Sequence, residues 1–518
     1  MSAFHWKLLK ERTFHPTETL KKTVFTVIMV NDVYEMLPDD NGVGGLAELQ
    51  TIIETEKYKA RNCIATLNGD FMSASTLATQ YKGYHMIDIL NHVDIDYVTL
   101  GNHEFDFGTP NVIQRIKESR FKWVCANVVQ PEDNTKVLTG LVRKVVHECD
   151  GFKIGIFGVC TKTTEVLSKP GKEAVFLPSV VVAKELVKEL REQDGCDVVI
   201  AMTHLTIADD RELARCCPGI NLIIGGHDHS VHTQMQGDCF IHKAGHDAQY
   251  VSRLDISIEK KQTIINGEKF QQVKVFPSCN MIVNRGFKPN PKVSEVIQHY
   301  MNQLPEGITE QIGITTTKLD SSTESVRSKE TTFANFVADI FKDTFNAEIA
   351  IINGGGIRGD RFYDDNKRIT RLDMLKEFPF QNFLTLSEIK GSDLLELVEQ
   401  GVAKAENCIG AFLHFSQGVS IQYDSTKPPM SRVVKMTLND DYLDPERMYS
   451  LASVTYLLQG GDGLSAAKKA VIKQHPNNNK SVYDAVCEWI ELNRKIGGKK
   501  EGRIFDISKR NAPMSLNF

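Results

Sequence analysis

The chain reads GNHEFDFG at residues 101–108, directly after the apolar run Tyr97–Leu100. It reads GGHDH at residues 225–229, directly after the apolar run Asn221–Ile224. Short apolar runs that are bounded by glycine predict buried strands. Each predicted strand therefore leads into a turn that carries amide, carboxylate and imidazole groups, and this arrangement decides what kind of sheet the sequence encodes.

The same arrangement recurs after three further predicted strands, Val24–Val30, Cys63–Asn68 and Asp197–Thr203. In α/β sheets, binding sites form beyond the carboxyl ends of the strands. Five such ends on one edge predict a single cluster of side chains. The residues that follow the five strands are Asp32, Asp70, Asn102, His103, His204, His227 and His229.

Segments with helical periodicity alternate with these strands. Apolar residues recur at helix spacing in Leu46–Ala60, Met86–Val93 and Val181–Glu192. One more strand is predicted at Lys153–Val159. Strands that alternate with helices favour the α/β class, in which helices cover layered sheets.

The second half of the chain is also α/β but has different motifs. A length of 518 residues exceeds what one compact core usually holds. Gly286, Pro289 and Pro291 interrupt the pattern within Asn284–Ile312, and Val293–Leu304 is predicted as a connecting helix. We therefore predict a first domain at residues 23–285, a linker helix and hinge at 286–311, and a second domain at 312–518.

Within the second domain, four elements are predicted from periodicity and composition. They are the helices Thr332–Phe345 and Ser392–Ala405, the strand Glu348–Ile352 and the glycine turn Asn353–Gly356.

The residue types in the predicted cluster favour metal binding. Asp, Asn and His without Cys suit Zn, Mn, Fe or Co. A bridging carboxylate explains how such sites hold two ions, which together polarise a phosphoryl oxygen and activate water. Singly, Asp32 and Asp70 are as consistent with turn capping, and His204 with a structural histidine. The long joint pattern favours a two-metal site.

Bulk properties exclude several classes of function. The formal net charge is -5 and the pI about 6.3, which does not suit a basic nucleic-acid binder. Eleven cysteines without regular spacing indicate reduced thiols. No secretory signal is visible in Met1–Lys22, and no lipid-anchor signal is visible in Arg510–Phe518. No run reaches the roughly 18 apolar residues that a membrane helix needs. We expect a cytoplasmic protein with a small-molecule partner, no membrane and no nucleic-acid polymer; its oligomeric state stays open.

The motif series resembles that of the calcineurin-like metallophosphoesterases. The matching motifs are Asn31-Asp32, Gly69-Asp70, Gly101-Asn102-His103-Glu104, Thr203-His204 and Gly226-His227-Asp228-His229. The second half resembles the C-terminal domain of the 5′-nucleotidase family. The matching residues there are Arg327 with Glu330, Asn353-Gly354-Gly355-Gly356-Ile357-Arg358, Pro379-Phe380 and Gly460-Gly461-Asp462-Gly463. The resemblance covers about Thr23 to Gly463 and implies a four-layer α/β/β/α sandwich followed by an α/β substrate-binding domain.

The resemblance implies two divalent ions. Asp32, Asp70 and His229 would hold the first ion. The second ion would be held by Asp70, Asn102, His204 and His227, with Asp70 bridging. His103 and Asp106 would form a dyad beside the metals. Chemistry alone agrees, because a histidine next to a ligand can stabilise developing charge or protonate the leaving oxygen.

In the second domain, the resemblance implies contacts to a nucleotide. Arg327 and Arg358 would bind phosphate or carboxylate, with Asn353 in the adjoining glycine turn. Phe380 and Tyr456 would stack on either side of the base, with Tyr456 in place of the more usual Phe. Asp462 would bond the sugar hydroxyls.

One position departs from the family pattern. The family usually has Asp-x-His after the first strand, whereas this chain has Asp32-Val33-Tyr34. Tyrosine is a poor ligand for a simple divalent ion because its reference pKa is about 10. Either a metal lowers that pKa, or Tyr34 lies outside the coordination shell. In both cases, the first ion is expected to bind weakly or to be a different metal.

The resemblance implies that water attacks phosphorus and releases nucleoside and phosphate, after a domain rotation at the hinge. Other substrates remain open: a 2′,3′-cyclic nucleotide, a nucleoside diphosphate sugar, a nucleotide diphosphate or, less favoured, a sulfur ester. A different class is a nucleotide-binding protein that has lost catalysis through Tyr34. A scaffold that uses only its fold is disfavoured by the remaining ligands.

Overall fold

The structure is a computed structural model that describes residues 18–74, 77–265, 268–380, 382–474 and 480–511. It divides into two compact units, with the main boundary between Gln303 and Leu304. The limits of the predicted linker, at 285/286 and 311/312, stay a prediction. No helix of the described residues is both long enough and apolar enough to cross a membrane.

The first unit contains two six-stranded mixed sheets. In the first sheet, four parallel strands are continued by an antiparallel hairpin. The strand order is Glu268–Val283, Tyr250–Ile265, Glu18–Val30, Cys63–Asn68, Tyr97–Thr99 and Lys122–Trp123.

In the second sheet, four parallel strands are flanked by an antiparallel strand on each edge. The strand order is Val231–Gln236, Cys239–Ala244, Leu222–Gly226, Val198–His204, Phe152–Cys160 and Lys144–Cys149. All six sequence-predicted strands of the first half are therefore present, with ends shifted by a few residues. The hairpin and the strands between 231 and 244 were not predicted.

The two sheets pack face to face, and helices cover their outer faces. Val27 and Ile64 of the first sheet share one buried core with Ile154 and Ile200 of the second. A second core lies between the second sheet and its helices. This layering confirms the predicted four-layer sandwich. The helices of the unit include Leu46–Lys59, Tyr84–Leu90, Thr109–Glu118, Ser179–Lys188, Ile207–Cys216 and Pro291–Met301.

The second unit is built around a five-stranded sheet. Its order is Leu413–Phe415, Ile349–Asn353, Met448–Val454, Leu384–Lys390 and Val471–Gln474. A four-stranded sheet contains Asp441–Tyr442, Val433–Leu438, Val419–Tyr423 and Ile504–Asp506, and a three-stranded sheet contains Arg368–Thr370, Gln311–Thr315 and Lys495–Ile496. The main helices are Thr332–Phe345, Arg371–Glu377, Gly391–Val402 and Val482–Asn493.

The helix Thr332–Phe345 shows how local sequence sets these elements. The Thr331 side chain accepts a hydrogen bond from the Ala334 N–H at its start, and Asn346 ends it with a φ of 50°. Its apolar face is buried in the core of the unit. The strand Ile349–Asn353 follows and leads into a glycine turn at Gly354–Gly356.

Candidate active site

Parallel register brings the predicted ligands to one edge of the sandwich. Val30 pairs with Leu67, and Asn68 pairs with Thr99, so the segments after these strands leave the first sheet at the same level. In the second sheet, His204 pairs with Gly226, which places it beside His227. The carboxyl ends of the strands thus carry the cluster, as the sequence predicted.

Three of these residues adopt backbone conformations that L-residues rarely take. The φ angles are 53° at Asp32, 57° at Asp70 and 79° at His227. Such angles cost free energy in non-glycine residues and occur mainly where function demands them. Glycine makes room for the cluster, because a Cβ at Gly101 would lie 2.2 Å from Asp70 Oδ1.

The donors proposed for the second ion lie together. Ligand atoms of Asp70, His204 and His227 are all within 4.8 Å of one another. His204 Nδ1 lies 2.9 Å from the Asn68 carbonyl oxygen, which fixes the proton on Nδ1 and turns Nε2 toward Asp70 Oδ2 at 3.1 Å. The Asn102 Oδ1 atom is buried and accepts no hydrogen bond within the described parts of the chain. It is therefore available as a ligand.

The donors proposed for the first ion enclose a hydroxyl group. Tyr34 is 6% exposed, and its oxygen lies 3.3 Å from Asp32 Oδ1, 3.2 Å from Asp70 Oδ2 and 3.2 Å from His229 Nε2. The position at which the family usually has histidine thus points its side chain into the cluster.

Burial and neighbouring charges set the protonation states of the cluster. Burial raises the pKa of Asp32 to about 7, although the charge of His204 opposes this. Burial also acts to raise the pKa of Asp70, but positive charge on His204 and His103 holds it well below its usual value. Burial lowers the pKa of His227 to about 3, which keeps the imidazole neutral. Burial acts to lower the pKa of His204, but the charges of Asp70 and Asp32 raise it to about 10. Metal binding therefore requires that His204 lose its proton, whereas Asp70 and His227 already have the binding form. Asp, Asn and His are donor types that suit a pair of cations.

Glu104, whose role the sequence did not indicate, is fully buried behind the cluster. Its Oε2 accepts hydrogen bonds from the N–H groups of Asp70 at 2.9 Å and Gly101 at 2.6 Å. Its Oε1 accepts from Phe71 at 2.8 Å and Met72 at 3.1 Å. One carboxylate therefore holds two ligand-bearing loops together. The sequence feature that could have indicated this role is its place in the GNHEFDFG motif.

The two residues of the predicted dyad, His103 and Asp106, are in contact. His103 Nδ1 and Asp106 Oδ2 are 2.8 Å apart, and the backbone N–H of His103 donates to Asp70 Oδ1 at 2.8 Å. Ser168, which the sequence did not single out, donates a short hydrogen bond to the other Asp106 oxygen. Asp106 is therefore fixed on both sides and orients the His103 ring.

A buried lysine supports the second sheet's loops. Lys243 Nζ donates to the carbonyl oxygens of Leu205 at 2.5 Å and Gly226 at 2.7 Å, and it pairs with Asp228 at 2.6 Å and Asp210 at 3.0 Å. These contacts tie the segment after His204 to the GGHDH turn. The sequence feature that could have indicated this role is a lysine within the buried strand Cys239–Ala244.

In the second unit, three predicted substrate residues form one network. Asn353 Nδ2 donates to Asp462 Oδ2 at 2.6 Å, and the Tyr456 hydroxyl donates to Asp462 Oδ1 at 2.7 Å. The Tyr456 oxygen also accepts from the Asp462 N–H at 3.0 Å. Tyr456 therefore fixes Asp462, which phenylalanine at this position would not do.

The remaining substrate residues lie around the same glycine turn. The Arg358 guanidinium lies over the Phe380 ring at 5.8 Å. A small recess is lined by both Phe380 and Asn353. A Cβ at Gly354 would lie 3.2 Å from Cα of Arg327, so the turn packs directly against that residue. Glu330, quoted beside Arg327 in the sequence, instead accepts backbone hydrogen bonds from residues 501 and 502.

Two family models match the chain in the order in which the units occur. The model described as "Calcineurin-like phosphoesterase" matches residues 25–231. The model described as "5'-nucleotidase, C-terminal domain" matches residues 311–469.

Known proteins resemble the chain over most of its length. It is 28% identical over 529 residues to the trifunctional nucleotide phosphoesterase protein YfkN of Bacillus subtilis (strain 168), covering 93% of this chain but 35% of that protein. It is 25% identical over 530 residues to the 5′-nucleotidase of Homo sapiens, covering 92% and 90%. The crystal structure of a 5′-nucleotidase precursor from Thermus thermophilus shares the fold, with a TM-score of 0.83, 24% identity and coverage of 95% and 100%.

Proposed function

Since the chain belongs to the 5′-nucleotidase family of the calcineurin-like metallophosphoesterases, and is thus a metal-dependent phosphoester hydrolase, we propose that it releases phosphate from nucleoside 5′-monophosphates. The observation that carries the proposal is the convergence of the ligand series on one edge of the first unit. Asp70 lies at its centre, in contact with Tyr34, His103 and His204.

Two cations fit the donor set. Asp32, Asp70 and His229 would hold one, and Asp70, Asn102, His204 and His227 the other. When bound, such a pair polarises the phosphoryl oxygen and supplies hydroxide at neutral pH. Zn, Mn, Co and Fe all suit these donors.

The chain's own groups act on the leaving side of the ester. His103 lies next to the ligand Asn102 and is oriented by Asp106. The carboxylate favours the protonated imidazole, which stabilises negative charge and donates its proton to the departing sugar oxygen. Ser168 holds the Asp106 carboxylate, which keeps the ring in place.

The second unit supplies recognition of the nucleotide. Arg358 is a bidentate donor suited to phosphate, and Phe380 offers a ring face to the base. Asp462, held by Asn353 and Tyr456, presents a carboxylate to the sugar hydroxyls. Stacking tolerates every base, so this contact does not select one nucleotide over another.

A wider substrate range is the second candidate, because the Bacillus subtilis relative is named a trifunctional nucleotide phosphoesterase. The same metal site would then also accept a cyclic nucleotide or a diphosphate ester.

The cytoplasm is the proposed compartment. All 11 cysteines are free thiols, and burial raises the pKa of several, including Cys125 and Cys217 to about 11.

The test is a phosphate-release screen with the purified chain, loaded separately with Zn, Mn or Co. The panel holds nucleoside 5′-monophosphates, a 2′,3′-cyclic nucleotide and a nucleoside diphosphate sugar. Turnover of a 5′-monophosphate supports the proposal, and turnover of the other esters in addition supports the second candidate. Binding of nucleotides and metal without any turnover contradicts both and indicates a binding protein.

A further inference from the structure

Glu377 is a buried carboxylate at which three segments of the second unit meet. It is the last residue of the helix Arg371–Glu377, and its side chain is fully buried. Its Oε1 accepts hydrogen bonds from the Tyr363 hydroxyl at 2.7 Å and the Ser321 hydroxyl at 2.8 Å. Its Oε2 accepts from the Gly359 N–H at 3.1 Å. An ionised carboxylate only accepts hydrogen bonds, so these three donors match its lone pairs.

The first of the segments that contact Glu377 carries Arg358. Gly359, whose N–H reaches the carboxylate, directly follows Arg358 in the chain. The Arg358 N–H itself donates to the main-chain carbonyl oxygen of Glu377 at 2.9 Å. A Cβ at Gly359 would overlap Glu377 Oε1, so the absence of a side chain there lets the carboxylate reach the backbone. Glu377 thus fixes the backbone on both sides of the Arg358 peptide.

The other two segments lead to Arg327 and Phe380. Ser321 comes just before the short helix Thr323–Val326, which ends at Arg327. Phe380 follows three residues after Glu377 itself. The segments that carry three of the proposed nucleotide contacts are therefore joined at one carboxylate.

Burial makes this carboxylate costly for the fold. It raises the pKa of Glu377 to about 7, although the charge of Arg361 opposes this. A buried carboxylate loses its hydration, and hydrogen bonds only partly compensate for that loss. Ionisable groups in such surroundings occur most often at functional sites. The placement of Glu377 is thus better explained by binding than by stability.

We propose that Glu377 is a positioning residue for nucleotide recognition, which holds the segments of Arg327, Arg358 and Phe380 in the arrangement that binds the nucleotide. The inference rests on the nucleotide site of the proposed function. Glu377 acts through these segments, because its own side chain is buried away from solvent. The proposed metal donors all belong to the first unit. Loss of the carboxylate should therefore raise KM and leave kcat nearly unchanged.

Glu377→Leu tests the proposal, because it removes all three side-chain contacts and keeps the position filled. KM and kcat are measured on the metal-loaded chain with nucleoside 5′-monophosphates. The Kd of a non-hydrolysable methylenephosphonate analogue of adenosine 5′-monophosphate is measured by calorimetry. KM and Kd should rise by roughly 10-fold or more, which is what a hydrogen bond to a charged group contributes. The kcat should stay close to the wild-type value.

Glu377→Gln is the conservative variant. Its oxygen accepts from the Gly359 N–H, and its NH₂ group donates to the hydroxyl oxygens of Ser321 and Tyr363, which are free to rotate. All three segments thus stay joined. KM and Kd should remain close to those of the wild type.

Glu399→Leu is the matched control. Glu399 is another buried carboxylate of the second unit, and it accepts the N–H groups of Arg432 at 2.9 Å and Val433 at 2.8 Å. Its loss should lower the folded fraction, and with it the apparent kcat, without raising KM. A purely structural role for Glu377 would give this same result in Glu377→Leu.

Ser321→Ala keeps the test decisive if Glu377→Leu does not fold. It removes one of the three donors with little change in volume. KM and Kd should rise in the same direction by a smaller factor, roughly threefold.

Unchanged KM and Kd in folded Glu377→Leu would overturn the inference, as would an equal rise in Glu399→Leu. Where the leucine variant does not fold, unchanged values in Ser321→Ala would overturn it. Wild-type chain that binds the analogue but releases no phosphate contradicts the proposed hydrolysis. The Kd values alone then decide the role of Glu377.

Discussion

Replacing Glu104 with glutamine tests whether one buried carboxylate holds the ligand loops. Each Glu104 oxygen accepts two backbone N–H groups, with those of Asp70 and Gly101 on one and those of Phe71 and Met72 on the other. Glutamine keeps one acceptor oxygen and turns an NH₂ group toward the other two donors. Two buried N–H groups therefore lose their partners.

The magnitude follows from those two groups. A buried donor without a partner costs about 1–3 kcal/mol, which gives roughly 2–6 kcal/mol for the pair. Burial raises the pKa of Glu104, so removing its charge recovers part of this cost. We expect a net loss of roughly 2–5 kcal/mol, which speeds amide exchange that requires unfolding by about 30-fold to 5,000-fold.

The assay is hydrogen exchange by mass spectrometry on the strand Cys63–Asn68, together with metal analysis. Glu104→Gln should speed exchange there and lower metal content, because Asp70 loses its anchor. Glu399→Gln is the control, since this second-unit carboxylate also accepts backbone N–H groups, from Arg432 at 2.9 Å and Val433 at 2.8 Å. It should speed exchange only in its own unit and leave the metals bound. Unchanged exchange and metal content in Glu104→Gln would refute the reasoning.

Four further predictions concern other parts of the chain. His103→Asn should keep its metals in metal analysis but lose turnover by roughly 10²–10⁴-fold, and loss of metal would make His103 a ligand. In calorimetric titrations with zinc alone, the second ion should bind more tightly than the first, and Tyr34→His should reduce the difference; equal affinities in both proteins would contradict the asymmetry. Burial raises the pKa of Glu377 to about 7, above the 4.5 of an exposed glutamate, so the folded state holds that proton more tightly and the unfolding free energy falls as pH rises from about 4.5 to 7. Thermal denaturation at pH 5 and pH 8 should therefore show a smaller pH effect on stability in Glu377→Gln than in the wild type. An equal effect in both proteins would show that Glu377 is not the group responsible. Intact native protein should show no disulfide by mass spectrometry, and a stable set of bridges would contradict the proposed cytoplasmic location.

The sequence predicted those elements whose local pattern is unambiguous. The strand Cys63–Asn68 and the helix Thr332–Phe345 begin and end where periodicity placed them, because apolar runs or faces are bounded there by turn or capping residues. The hairpin Tyr250–Ile265 and Glu268–Val283 was missed. Much of its second strand is exposed, so its polar side chains do not form an apolar run.

The same limit applies to the site. The ligand series could be read from the sequence because each member directly follows a strand. The roles of Glu104, Ser168 and Lys243 depend on distant partners, which only the folded chain brings within hydrogen-bond distance. For Tyr34, the sequence left a ligand and an outer position open, and the structure places its hydroxyl 3.2 Å from Asp70 Oδ2.

Phosphate release tests the central claim most directly. Purified chain carrying two metal equivalents should release phosphate from at least one nucleoside 5′-monophosphate. Asp70→Asn, which weakens the shared ligand, should abolish this release while nucleotide binding persists, because the proposed nucleotide contacts belong to the second unit. A fully metal-loaded chain that releases no phosphate from any nucleotide in the panel would contradict the account.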